Sequence, residues 1–263
     1  MFVVRVISTF CLILGFLFFS GDAKAGELAE RLAKFPQWEK ITSVKPAEGD
    51  LIYPDWMAGN WKVTSTLVDL AAPLAPDIIT PGFESNRRQL NQPVSFLVRF
   101  VKTKQPISGL KIIPRIDNQS QIVVADRAFN SLNLLKASLG DQTGLSVKVD
   151  PQSPNRQITI LGNRQLVTLI TARATENPAD GRFITTEVFQ QLFKGAARPY
   201  FNSVESTTAY SLLSSSHPAI TADQVTAVYL SPQDPAYFQA GSRPVALYRY
   251  RLEFFPEKSL TTP

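Results

Sequence analysis

The chain is almost without the residues that thiol and transition-metal chemistry require: its 263 residues include one cysteine, Cys11, and one histidine, His217. Cys11 lies inside an apolar run over residues 6–19, preceded by Arg5 and followed by Ala23-Lys24-Ala25, the small-x-small pattern of a signal-peptidase site. Cleavage before Gly26 is therefore expected, which removes the only thiol and places the mature protein outside the cytoplasm. Disulfides, thiolate metal sites and cysteine nucleophiles are then excluded. A retained anchor is the alternative, but the run falls short of the roughly 20 residues that span a bilayer. A lipid anchor fits less well, because Cys11 follows Thr9-Phe10 instead of small residues. The mature chain is expected to have no transmembrane segment.

His217 sits in Ser214-Ser215-Ser216-His217-Pro218, a loop string, and a lone loop histidine makes neither a metal site nor a Ser-His-Asp arrangement. No metal or other cofactor is expected. Also missing are a Gly-x-Ser-x-Gly elbow, a phosphate loop, a dinucleotide fingerprint and a His-Glu-x-x-His pair. The net charge of +5 is spread along the chain with no basic block. Nucleic acid is thereby excluded as a partner, and only a weak preference for acidic surfaces is left. An enzyme is unsupported by motifs.

What is present is alternation. After a short amphipathic helix over 27–35 (Leu28, Leu32, Phe35) and a turn-rich connector to residue 54 lying against the surface, period-two segments dominate. Strands are expected over 56–68, 94–102, 121–125, 145–149, 156–161, 165–173, 182–193, 203–213, 224–230 and 245–255. Both faces of 94–102 read as covered. Asp126 and Gly140 bracket a helix whose stripe is Phe129, Leu132, Leu135 and Leu139. Residues 70–93 form a long apolar loop with Pro73, Pro76, Pro81 and Gly82, expected to be packed, a lid or a contact surface. The resulting division is a signal peptide at 1–25, a helix and connector at 26–54, and a mainly β domain at 55–263. About nine or ten antiparallel strands with short links make a barrel or strongly curled sheet, with a sandwich as the alternative.

Several charges interrupt the strands: Arg99, Glu187, Glu205, Arg249 and Arg251. Inside a barrel they would pair across the lumen or meet an anionic ligand; on the polar side of a half-exposed strand they would face water. Arg87 and Arg88 beside the apolar loop would either hold a carboxylate or phosphate at a cavity mouth or be solvated. Glu187 with Glu205 forms an arithmetically allowed acid and base pair for glycoside hydrolysis. Asn118-Gln119-Ser120 matches a glycosylation sequon.

Gly59-Asn60-Trp61 on the first strand, with Arg249 or Arg251 on the last, resembles the Gly-x-Trp opening and closing arginine of lipocalin-like (calycin) barrels. The resemblance implies that Trp61 and a late arginine close the barrel base and that the interior holds an apolar or amphipathic molecule. The mid-chain helix and the strand count depart from that pattern. More broadly, Tyr53-Pro54-Asp55-Trp56, Val98-Arg99-Phe100, residues 124–130, residues 224–230 and Ala246-Leu247-Tyr248-Arg249-Tyr250 resemble an uncharacterised family of cyanobacteria and plant plastids. That resemblance implies a thylakoid-lumenal or periplasmic home and supplies no catalytic residue.

The expectation is an exported, non-catalytic protein that binds a lipid, pigment or quinone beneath the 70–93 loop. Trp61, Phe83, Phe96 and Phe100 would give apolar contact, while Arg87 and Arg99 would orient an acidic group. The alternative is an assembly protein gripping a photosynthetic membrane protein through the same loop.

Overall fold

In the computed structural model the described residues are 26–42, 44–80, 82–104, 120–140, 144–195 and 199–258. The expected signal peptide with Cys11, and Asn118 and Gln119 of the sequon match, lie outside them. The helices are α1 (Glu27–Ala33), α2 (Phe83–Arg87), α3 (Arg127–Leu139) and α4 (Tyr237–Ala240). The strands are β1 (Lys45–Pro46), β2 (Gly59–Ala71), β3 (Pro93–Lys104), β4 (Gln121–Ala125), β5 (Leu145–Asp150), β6 (Ser153–Leu161), β7 (Arg164–Glu176), β8 (Phe183–Lys194), β9 (Tyr200–Leu212), β10 (Ile220–Tyr229) and β11 (Ala246–Pro256).

All pairings are antiparallel, in the order β4-β3-β2-β11-β10-β9-β8-β7-β6-β5, with β1 added to β7. The sheet is curled into a half-barrel, compatible with the lipocalin-like barrel expected from the alternation. One ring makes the curl plain. Tyr53 lies 4.8 Å from Phe100 on β3 and 5.8 Å from Phe183 on β8, strands that a flat sheet would hold about 24 Å apart at five steps of roughly 4.8 Å.

The gap between the sheet edges is filled by non-strand chain. At one end the connector does this: Lys45 and Pro46 pair with Arg173 and Ala172 of β7, and Tyr53 bridges Val123 of β4. The connector is therefore part of the wall, in place of the surface path that its turn residues suggest, because the edges of β7 and β4 leave backbone groups that only another extended segment satisfies. Higher up, α3 packs against β3 on one side and β5 on the other. Where β4 stops, Asn130 continues the ladder: Arg99 N donates to its Oδ1 at 2.7 Å, and its Nδ2 donates to Arg99 O at 3.2 Å. Asp126 caps α3 by accepting from Phe129 N at 3.1 Å, and Gly140 ends it with φ 78°, a conformation open to glycine.

Outside, α1 covers β8 to β10, burying Leu28 and Leu32 against Ile184, Ala209, Val225 and Ala227. The outer face of β3 is open in contrast to the expected cover, since Leu97 is exposed. Two short helices, α2 and α4, have no counterpart in the sequence reading because each lies inside a proline-rich loop.

Candidate functional site

Strand parity decides what the interior contains. At the end we call the floor, Trp61, Val63, Phe100, Phe183, Tyr210 and Phe254 form a buried cluster. Trp61 Nε1 donates to Met57 O at 2.8 Å, and its ring meets Phe254 edge-on at 6.3 Å. Aromatic edge-to-face packing of this kind makes the floor solid. Trp61 and Phe100 belong to this plug and line neither of the cavities above it.

The expected closing arginines are placed elsewhere. Arg249 alternates with Tyr248 and Tyr250, so it faces outward, where it donates to both oxygens of Asp223 at 2.9 and 2.7 Å and lies over the Phe35 ring. Arg251 shares that outward parity and is exposed. Neither meets Trp61; the Met57 carbonyl satisfies the indole in their stead. Arg99 also faces away from the interior, paired with Asp126 and lying over Phe129. Arg87 is exposed at the mouth, 3.1 Å from Glu84 and over the buried Phe83 ring, which packs on Tyr248. Of the residues expected to contact a ligand, Phe96 is the one that lines either of the two cavities above the floor, among the described residues.

Above the floor the interior is hollow. A cavity of about 670 Å³ opens between α3 and strands β2, β3, β10 and β11. Its apolar wall includes Phe96, Leu134, Leu135, Tyr250 and Leu252, and its polar groups are amides and hydroxyls such as Asn86, Gln89, Gln92, Gln224 and Thr226. No charged side chain lines it among the described residues. The 70–93 loop lies over it through α2, held by Asn86 Nδ2 donating to Tyr248 Oη at 2.9 Å. A second cavity of about 360 Å³ lies between α3 and β6 to β8 and shares Leu134 and Leu135 with the first. No residue of α3 is fully buried, as expected of a helix bordered by empty space on both flanks.

The smaller cavity abuts an ion cluster. Glu187 accepts from Arg127 at 3.0 Å and lies 3.2 Å from Arg173, while Asp50 lies 3.1 Å from Arg127. Burial depresses the Arg127 guanidinium, but Glu187 and Tyr53 outweigh it and leave its pKa above the ordinary value. Burial pulls Arg173 down, and its Nε has no partner among the described residues. Burial, with Tyr210 and Glu187 nearby, drives the Tyr53 phenol well up, and burial takes Tyr210 to about 12. The cluster pins the start of α3 across the interior to β8.

Glu205 has a different place. It is 0% exposed on the outer face beneath the N-terminal segment, accepting from Arg31, Thr42 Oγ1 at 2.7 Å and Tyr229 Oη at 2.9 Å. Burial, with the Glu205 charge beside it, raises the Tyr229 pKa. Register sets Val188 opposite Glu205 and Glu187 opposite Ser206, so the two carboxylates lie on opposite faces of the sheet. The arrangement needed for a shared glycosidic substrate is not built.

The amide and hydroxyl lining has no counterpart among the residues singled out from the sequence. Its signal is parity: Gln224 and Thr226, like Tyr250 and Leu252, occupy alternate positions in step with the floor residues Ala222 and Phe254. A family model described as a domain of unknown function, DUF6816, matches residues 45–258. That span begins at β1, the piece of connector built into the wall. No curated protein and no solved structure matches the chain.

Proposed function

We propose a ligand-binding role for this chain, which belongs to the DUF6816 family, a domain of unknown function. In this reading it is an exported, non-catalytic protein of the thylakoid lumen or periplasm that holds an apolar or amphipathic molecule in the half-barrel. The observation that carries it is the cavity of about 670 Å³ beside α3, a volume within the range of small-molecule sites. Its lining narrows the chemistry. A carboxylate or phosphate buried there would meet no cation among the described lining residues, and burying an unpaired charge is costly. The fitting ligand is uncharged, with a polar end for Gln89, Gln92 and Gln224 and an apolar body for Phe96, Leu135 and Leu252. A quinone or a neutral lipid or pigment meets that description better than the acidic ligand that Arg87 and Arg99 would orient.

Displacement of a fluorescent apolar probe by a short-chain quinone, a monoacylglycerol and a fatty acid tests the reading. The neutral compounds should displace it at least about tenfold better than the ionised acid, and Thr226→Trp, which puts an indole into the cavity and narrows it, should weaken probe binding at least about tenfold. A folded protein that takes up no probe, or takes it up equally with Thr226→Trp, contradicts the proposal.

A second reading, an assembly protein of the photosynthetic membrane, is favoured by one observation: Ile79 on the apolar loop is 86% exposed.

A further inference from the structure

The mouth end of the half-barrel carries features that the interior does not need. Ile79 and Phe238 are 86% and 89% exposed, the most exposed of the large apolar side chains among the described residues. They sit on different loops, residues 72–92 between β2 and β3 and residues 230–245 between β10 and β11. The loops form one body: Leu74 and Ile78 share a buried cluster with Ala240 and Val245, and the Thr80 hydroxyl donates to Val245 O at 2.7 Å. Phe193 and Tyr200, also exposed, meet as tilted rings with centroids 6.0 Å apart in the next hairpin, and Tyr200 lies beside Asp234 of the 230–245 loop. Isolated exposed apolar side chains are ordinary; several held out from packed loops at one end mark a contact surface.

Charge says what the surface meets. Arg87, Arg88, Arg164, Lys194 and Arg243 stand around these tips, all exposed, and Arg164 and Lys194 lie on hairpins joined by the pairing of Gln165 with Lys194. Among the acids at this end, Glu84 is bridged by Arg87 and Asp234 is occupied in accepting from Ser231 N at 2.8 Å. Asp77 is the other one in the described loops. The excess is positive, and the apolar tips are separate prongs instead of a groove. We infer that the mouth docks on the surface of a bilayer containing anionic lipid, with Ile79 and Phe238 entering the interfacial layer and the basic residues meeting headgroup phosphates. This goes beyond the ligand-binding reading and does not depend on it. If both hold, Gln89 and Gln92 face the ligand at the docked end, and exchange with the bilayer avoids water.

The test uses the full chain with Cys11→Ser and an environment-sensitive fluorophore at Phe238→Cys or, at the opposite end, Leu212→Cys. The apolar run at 6–19 brings both labelled proteins to a vesicle alike, so the contrast between ends carries the result. Vesicles of phosphatidylcholine with phosphatidylglycerol should shift the Phe238→Cys probe to the blue and leave the Leu212→Cys probe unchanged. Phosphatidylcholine alone should give the weaker response, and Arg164→Glu with Lys194→Glu should cut the Phe238→Cys shift on the mixed vesicles at least about twofold. No shift at Phe238→Cys, equal shifts at both ends, indifference to the charge reversals, or a shift produced by raising protein concentration without vesicles would each overturn docking. None of these readouts involves the cavity ligand, so docking can fail while probe displacement still succeeds, and the reverse.

Discussion

Arg31 grips both oxygens of Glu205, with Nε to Oε1 and Nη2 to Oε2 each at 2.8 Å, across 174 residues of sequence. The carboxylate is fully buried on the outer face of the sheet, under a segment that precedes the first long strand. A buried anion is tolerable when its charge and lone pairs are met, and Thr42 and Tyr229 complete the set. The N-terminal segment is thereby fastened to the half-barrel by a polar latch inside an apolar contact.

Arg31→Met should strand the buried Glu205 carboxyl among neutral donors alone, costing about 3 kcal/mol in urea denaturation. Arg31→Met with Glu205→Met should recover a large share of that loss, because no buried charge is stranded. A single variant as stable as the parent would show that the latch holds nothing.

Asp126 serves α3 twice, as its N-cap and as the partner of Arg99. Asp126→Ala should cost about 1–2 kcal/mol and raise amide exchange across 127–139. Asp126→Asn keeps the cap and loses only a half-exposed ion pair, so its cost should stay below about 1 kcal/mol. Equal losses for both variants would shift the weight from the cap to the ion pair.

Alkaline pH should unfold the protein through its buried phenols. Burial pushes Tyr210 and Tyr250 up to about 12, and burial moves Tyr53 and Tyr229 in the same direction. An unfolded tyrosine titrates near 10, so above that pH the unfolded chain sheds protons that the native state retains. The stability these groups contribute is complete below about pH 10 and is lost as pH rises toward 12. Denaturation in urea at pH 8 and pH 11 should show a fall of more than about 1 kcal/mol, smaller in Tyr210→Phe; an unchanged midpoint would contradict the burial.

The elements are legible in the sequence because alternation is a local signal: β7 to β11 fall within a few residues of their expected spans, and Asp126 and Gly140 bracket α3 as read. Which face of a strand points inward is not legible. Parts of both faces of β10 and β11 are buried, one against the floor and one under α1, so Val225 and Leu247 outside look like Ala222 and Leu252 inside. Arg249 therefore reads equally well as a luminal residue. The partners of Glu205, and the use of Asn130 in place of a strand, depend on chain far apart or on side-chain mimicry of backbone, and neither has a periodicity to find. The neutral lining of the cavity escapes for the same reason: glutamines alternate on a strand without declaring their side.

Whether the hollow between α3 and β2, β3, β10 and β11 holds an uncharged amphipathic molecule is measured directly by mass spectrometry of the protein isolated from its native compartment, under conditions that keep complexes intact. A stoichiometric neutral lipid, pigment or quinone should accompany the parent protein, and markedly less should accompany Thr226→Trp isolated alongside it. A parent protein that emerges empty, or a ligand that persists unchanged in the narrowed variant, would mean that the hollow is not a binding site.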